Sequence, residues 1–271
     1  MALRIRHETL YAYADPVARS VQSLKLTPRA ESRQRVLSWQ ISAPGRRVEQ
    51  LDAYGNTTHL LTIDVPHREI RIVVEGVVEI DLTQELLHEP GSISPLVFAA
   101  PTPLTAADDA IRALAGRALG PAGGETRPRA EALADAVFAA VRYKPGTTTV
   151  ADTAMTALAR GEGVCQDQAQ VFIACCRAAG IPARYVSGYL HARGESREIA
   201  SHAWVDVWLA ERGVWLGLDV THRDATGPDH CRLAVGRDYL DAAPVRGVRR
   251  GGGRETLEVS VLVSATTRQQ Q

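Results

Sequence analysis

Residues 201–221 read SHAWVDVWLAERGVWLGLDVT, two alternating runs on either side of Glu211-Arg212. On the first run Ala203, Val205, Val207 and Leu209 share one side, and on the second Val214, Leu216, Leu218 and Val220 do. Only a hairpin register that keeps both sets on one sheet face buries them together. That register sets Leu209 opposite Val214, Trp208 opposite Trp215 and Trp204 opposite Asp219. The other face then carries His202, Trp204, Asp206, Trp208, Trp215, Asp219 and Thr221. His202 and Asp219 become diagonal neighbours, roughly 5–8 Å apart at Cβ and within reach of a side-chain hydrogen bond. The pairing that buries an apolar core thus also pairs a histidine with a carboxylate. Trp208 and Trp215 are expected as a cross-strand structural pair, and Arg184 as a structural cation.

Upstream, Cys165 follows the turn Gly161-Glu162-Gly163 and opens a helix that stops at Gly180 and Pro182. A helix N-terminus sets unpaired N–H groups and partial positive charge near the sulfur, which favours thiolate over thiol. Cys175 and Cys176 lie mid-helix among Phe172, Ile173 and Ala179 and read as small core residues. A thiol at a helix start, a strand histidine and a strand aspartate make a nucleophile, a base and an orienting group. His202 pairs with the thiolate as imidazolium and later protonates a leaving amine, while Asp219 fixes the imidazole tautomer. The Cys165 backbone N–H is a natural oxyanion donor. Gln166, Tyr189 and Trp204 are candidates for the second donor or a substrate contact. Asp167 either complements the helix N-terminus or touches substrate.

The rest of the chain frames this constellation. Residues 1–90 read as a β-rich module of antiparallel, sandwich-like design, with turn chemistry at Ala43-Pro44-Gly45, Tyr54-Gly55-Asn56 and Val65-Pro66. Residues 91–104 form a proline-punctuated linker, and 105–245 a core in which helices over 107–119, 130–143 and 152–160 precede the Cys165 helix. Thr105 is the expected cap of the first of these. Residues 246–271 hold a basic, glycine-rich stretch, VRRGGGR, expected as a solvated loop, and one last alternating strand, followed by a frayed ATTRQQQ. The class is α+β.

Composition narrows the function. The chain has 271 residues, 45% hydrophobic and 23% charged, which is ordinary globular composition. Its 31 basic and 31 acidic residues cancel, so no whole-protein field draws it to nucleic acid or to an anionic membrane. All the bases except Lys25 and Lys144 are arginine. Four cysteines, two of them adjacent, do not make a disulfide scaffold. Neither a signal-length apolar segment nor a run of membrane-span length is present, so a soluble, cytoplasmic protein is expected. No oligomeric state is readable.

The combination of Gly163-Val164-Cys165-Gln166-Asp167, Gly180-Ile181-Pro182-Ala183-Arg184-Tyr185-Val186-Ser187-Gly188-Tyr189, Ser201-His202-Ala203-Trp204-Val205 and Gly217-Leu218-Asp219 resembles the transglutaminase-like superfamily, in particular bacterial members described as cysteine proteases. Leu26-Thr27-Pro28-Arg29 with Tyr54-Gly55-Asn56 resembles the β-rich N-terminal domain of such proteins, and Ala234–Tyr239 is also similar. The resemblance implies a papain-like core, with Cys165, His202 and Asp219 as triad and no cofactor or metal requirement. One departure concerns the residues after the aspartate. The family has proline, threonine and asparagine there; this chain has Val220, Thr221 and His222, a second imidazole near the site.

The expected chemistry is acyl transfer from a peptide or glutamine-side-chain amide through a Cys165 thioester. Water as acceptor makes the chain a peptidase or amidase, the favoured outcome; an amine makes it a transglutaminase. A peptide-binding module that retains the fold is the non-enzyme alternative. A zinc site from His222, His230 and Cys231, with His202 as fourth ligand, is a further one, although no familiar zinc spacing matches it.

Overall fold

A computed structural model describes residues 1–81, 86–89, 93–120, 123–192 and 201–266. The N-terminal region is built on one very long strand. β1 (Ala2–Leu24), β2 (Gln34–Ser42), β3 (Arg46–Leu51), β4 (Thr57–Ile63) and β5 (His67–Ile80) form an antiparallel sheet in the order β2-β5-β1-β4-β3. Leu3, Ile5, Tyr13, Val17 and Leu24 of β1 are buried. Pro16 cannot donate to a ladder, and it lies where the β1–β5 pairing shifts, between Ala12 and Val17. There β1 changes partners: Ala2–Ala12 pair with β5, and Ser20–Leu24 pair with β4. The sandwich-like character expected of this region therefore comes from one sheet bent about β1, whose two halves share a single apolar core.

The second region is α+β. β6 (Leu86–Leu87) and two 3-10 turns, Pro95–Ala99 and Pro103–Thr105, lead into α1 (Asp109–Leu119) and α2 (Thr126–Ala140). β7 (Arg142–Tyr143), α3 (Ala154–Arg160) and β8 (Glu162–Gly163) follow, with β7 and β8 paired in parallel. Next, α4 (Cys165–Ala178) runs through the core, every residue from Asp167 to Arg177 buried. It ends at Gly180, whose φ of +74° suits glycine. β9 (Ala183–Leu190), β10 (Ser201–Leu209), β11 (Val214–Asp219), β12 (Asp224–Ala225) and β13 (His230–Gly236) make the sheet on which it packs. Their order is β12-β11-β10-β9-β13, and β6 pairs with β11.

After α5 (Tyr239–Ala242) the chain returns to the first region. β14 (Val245–Gly251) pairs with the second half of β1, and β15 (Glu255–Thr266) with the first half. The basic stretch expected as a loop is thus strand over its first four residues: Val248–Gly251, with Arg249 and Arg250, belong to β14, whose backbone is paired with Val17–Leu24. The pairing partner lies more than two hundred residues away, which local composition does not reveal.

Two helix starts also differ from expectation, for identifiable reasons. Asp108, not Thr105, caps α1 by accepting the Ile111 N–H at 2.9 Å, while the Thr105 hydroxyl accepts from Arg177 Nη1 at 2.6 Å. α2 begins at Thr126, four residues before the expected start, because Glu211 accepts both the Thr126 N–H (2.8 Å) and its hydroxyl (2.9 Å). That cap comes from the β10–β11 turn and is invisible to local sequence. The final residues of ATTRQQQ, 267–271, lie outside the described residues.

Candidate active site

Cys165 is the first residue of α4, and the turn before it is set by Asp167. The Asp167 Oδ2 accepts the Val164 N–H at 2.8 Å and the Thr148 hydroxyl at 2.7 Å. A Cβ on Gly163 would lie 2.7 Å from the Asp167 Cβ and 2.8 Å from its Oδ2, so only glycine lets this carboxyl fold beneath the turn. Burial pushes the Asp167 carboxyl above its ordinary range, against the opposing pull of the Val164 and Thr148 hydrogen bonds.

The β10–β11 hairpin has the register that core burial demands. Val205 pairs with Leu218, Val207 with Leu216, Trp208 with Trp215 and Leu209 with Val214. His202 and Asp219 are accordingly brought together on the opposite face, Nε2 to Oδ2, at 2.8 Å. Cys165 is the ring's other side-chain neighbour, close enough to act on its titration. Burial alone would lower the His202 pKa. The hydrogen bonds and negative charge of Asp219 and Cys165 outweigh it and raise the pKa to about 10, so the ring is held as imidazolium at neutral pH. The structure therefore brings the three residues Cys165, His202 and Asp219 to one place.

Asp219 collects more donors than the sequence predicts. His222 Nδ1 and His230 Nε2 also reach its Oδ2, at 2.8 and 3.0 Å, and the His222 backbone N–H reaches Oδ1 at 3.2 Å. Burial acts to raise the Asp219 pKa, but these hydrogen bonds prevail and hold the carboxyl well below the ordinary range. His222 is thus a direct partner of Asp219, with its side chain 55% exposed. His230 is a further partner, one that the sequence reading considers only as a zinc ligand. The signal was the alternation His230-Cys231-Arg232-Leu233, which is the start of β13.

The side-chain atoms of His202, Asp219 and His230 all lie within 4.8 Å of one another, a spacing open to a metal ion. The donor chemistry favours hydrogen bonding instead. The Gly227 N–H donates to His230 Nδ1 at 3.2 Å, so the proton of neutral His230 resides on Nε2, the nitrogen a metal would need free. Cys231, the remaining member of the zinc alternative, is fully buried on the opposite face of β13, with Leu233 and Tyr189 in the core of the N-terminal region.

Of the other site candidates, only Gln166 lines the cleft beside Cys165. Asp167 is buried under the turn in its capping role. Tyr189 is buried where the two regions meet, its hydroxyl hydrogen-bonded to His7 Nδ1 at 2.8 Å. Trp204 is likewise buried, packed at 6.1 Å from the His202 ring and 5.2 Å from His230. Asp167 thus holds the turn before Cys165, Tyr189 the seam between the regions and Trp204 the His202 ring, and none of the three lines the cleft. Trp208 and Trp215 form the expected pair, with centroids 5.1 Å apart. Arg184 is structural: it donates to Asp206 at 2.7 Å and to both Glu89 oxygens, and lies 4.3 Å over the Trp215 ring.

The cleft has a volume of about 300 Å³, with Cys165, Gln166 and His202 on one side. The facing side belongs to the N-terminal sheet: Tyr11 of β1 and Leu257 and Val259 of β15. Sequence reading left the role of this sheet open.

Comparisons with known proteins identify the family and the fold. Residues 3–79 match the bacterial transglutaminase-like N-terminal region, and residues 112–220 match the transglutaminase-like superfamily. An uncharacterised protein of Mycobacterium tuberculosis is 34% identical over 275 residues, covering 90% of this chain and 86% of that protein. One from Mycobacterium leprae is 32% identical over 282 residues, covering 97% and 98%. A protein-glutamine gamma-glutamyltransferase of Pseudomonas aeruginosa is 36% identical over 103 residues, 33% of this chain and 15% of that protein. Among solved structures, a "putative cysteine protease" from Cytophaga hutchinsonii shares the fold with a TM-score of 0.78 at 21% identity, covering all of this chain and 92% of that one. With its papain-like core behind a β-rich N-terminal region, the chain belongs to the transglutaminase-like superfamily.

Proposed function

We propose that the chain is a cysteine hydrolase that cleaves an amide bond, in a peptide backbone or a glutamine side chain, through a Cys165 thioester. The observation that carries this reading is the relay from Cys165 to His202 to Asp219, with His202 biased to imidazolium. In the first half-reaction the Cys165 sulfur, its proton already resting on His202, attacks the amide carbonyl as thiolate. The Cys165 backbone N–H, at the start of α4, faces the developing oxyanion. The tetrahedral species collapses with rupture of the C–N bond, and His202 gives its proton to the departing amine. In the second half-reaction His202 takes a proton from water, the hydroxide attacks the thioester, and the C–S bond breaks to return the thiol and release a carboxylic acid.

Water is favoured as acceptor because the cleft is open. Leu257 and Val259 on its wall are 53% and 51% exposed, so solvent reaches the position of a thioester. The test is mass analysis of a glutamine-containing peptide incubated with the protein, with and without a primary amine. Hydrolysis predicts chain cleavage or conversion of glutamine to glutamate. Loss of ammonia with an amine adduct instead identifies a transamidase. Cys165→Ala is predicted to abolish either product. Turnover that survives this substitution, or partner binding with no turnover in the parent, speaks for the peptide-binding module.

A further inference from the structure

The cleft in front of Cys165 is closed on its far side by the other region of the protein, and this wall has a definite chemical character. Tyr11, Leu257 and Val259 supply it from the N-terminal sheet, and Tyr239 and Val245 continue it from the segment joining the two regions. Among the described residues, no lysine, arginine, aspartate or glutamate lines the cleft. His7 and Thr9 on the sheet side, and Ser187 of β9, already have partners. His7 has Nδ1 on the Tyr189 hydroxyl at 2.8 Å and Nε2 on the Thr9 hydroxyl at 2.9 Å, and burial lowers its pKa to about 4, which leaves it uncharged at neutral pH. The Ser187 hydroxyl donates to the Ala242 carbonyl at 2.7 Å.

Leu257 and Val259 are half exposed on β15, an edge strand whose recorded pairing is with β1 alone. Large apolar side chains exposed beside a reactive cysteine signal a surface that is covered when substrate binds. The cavity, about 300 Å³, is at the small end of ligand pockets and suits one side chain with its flanking backbone. Burying a charge against such a wall without a partner is strongly unfavourable.

Building on the acyl-transfer reading, we propose that the N-terminal sheet is the specificity wall of this site. Tyr11, Leu257 and Val259 bind an uncharged, apolar side chain, such as phenylalanine or leucine, on the substrate residue adjacent to the reacting carbonyl. The substrate is then a peptide amide with an apolar residue at that position.

Binding can be read without chemistry. Blocked tripeptide amides carrying phenylalanine, leucine, aspartate or lysine at the position next to the reacting carbonyl are titrated into the Cys165→Ala protein by calorimetry. The phenylalanyl and leucyl peptides are expected to bind at least ~10-fold more tightly than the charged ones, the scale on which apolar pockets discriminate. Leu257→Glu and Val259→Glu, placed in the same background at exposed positions, are expected to remove that preference and to improve binding of the lysyl peptide. Equal affinity for apolar and charged peptides overturns the proposal, and so does a preference that survives both β15 substitutions. Alkylation of Cys165 in the parent by iodoacetamide, a small neutral reagent, reports separately on the catalytic reading. A selective cleft with an unreactive Cys165 sinks the enzyme and leaves the binding wall; a reactive Cys165 with an unselective cleft does the reverse.

Discussion

His230 donates from Nε2 to the Oδ2 of Asp219 at 3.0 Å while its Nδ1 accepts the Gly227 N–H at 3.2 Å. Burial lowers the His230 pKa, against the raising effect of Asp219, so the ring is neutral with its proton committed to the carboxylate. Asp219 is therefore positioned by His202 facing the thiol, by His222 three residues on and by His230 from β13. This makes His230 a positioning residue. Removing a hydrogen bond to a buried charge costs about 1.5–3 kcal/mol, so His230→Ala is expected to lower turnover roughly 10- to 100-fold. Loss of a competing donor also leaves Asp219 more strongly paired with His202, so the limb of the pH–rate profile that reports His202 should move to higher pH. His230→Gln, which retains an N–H donor, should recover part of both. A purely structural role would shift the thermal midpoint and leave the pH limb in place.

His7 makes stability depend on pH across the seam between the two regions. Its folded pKa, about 4, lies below the ordinary histidine value of 6.5. The unfolded chain thus binds the extra proton between these values, and stability must rise with pH through that window and fall as pH drops from 6.5 toward 4. His7→Gln, which keeps polar partners for Tyr189 and Thr9 but does not titrate, should flatten this segment of the curve in denaturant titrations at successive pH. An unchanged slope in the variant would assign the effect to other groups.

Asp206 holds a buried ion network together behind the site. It accepts Arg184 Nε at 2.7 Å and Arg232 Nη1 at 2.8 Å, and Arg232 Nε lies 3.0 Å from Glu31 of the N-terminal region. Burial opposes ionisation, but the two guanidiniums lower the Asp206 pKa to about 2. Its contribution is fully present above the unfolded value of 3.8 and is lost as pH falls through about 2. Asp206→Asn leaves two buried guanidiniums undercompensated and is expected to destabilise the fold by about 3–5 kcal/mol. Urea denaturation measures this, and a loss below ~1 kcal/mol would mean that the network contributes little beyond packing.

The parts of this protein that are legible from sequence are those governed by short-range periodicity. The β10–β11 register follows from two apolar sets four residues apart across a turn, and with it the His202–Asp219 pair. The helix opening at Cys165 follows from glycines before it and a stop after it. What escapes local reading is set by distant partners: Glu211 capping α2, β14 and β15 returning to β1, and His230 reaching Asp219 from β13. Asp167, Tyr189 and Trp204 were drawn to the site by proximity in sequence or on the strand face. Their burial turns them into supports, because whatever fixes the reacting groups must itself be packed.

The central claim is that Cys165 and His202 act as a coupled pair. It is tested most directly by the pH dependence of alkylation at each cysteine, mapped by peptide mass, in the parent and in His202→Ala. The account predicts that Cys165 alone is alkylated rapidly below neutral pH and loses that advantage in the variant, while buried Cys175, Cys176 and Cys231 stay protected in the folded protein. Alkylation of Cys165 with the same pH profile in both proteins would contradict it.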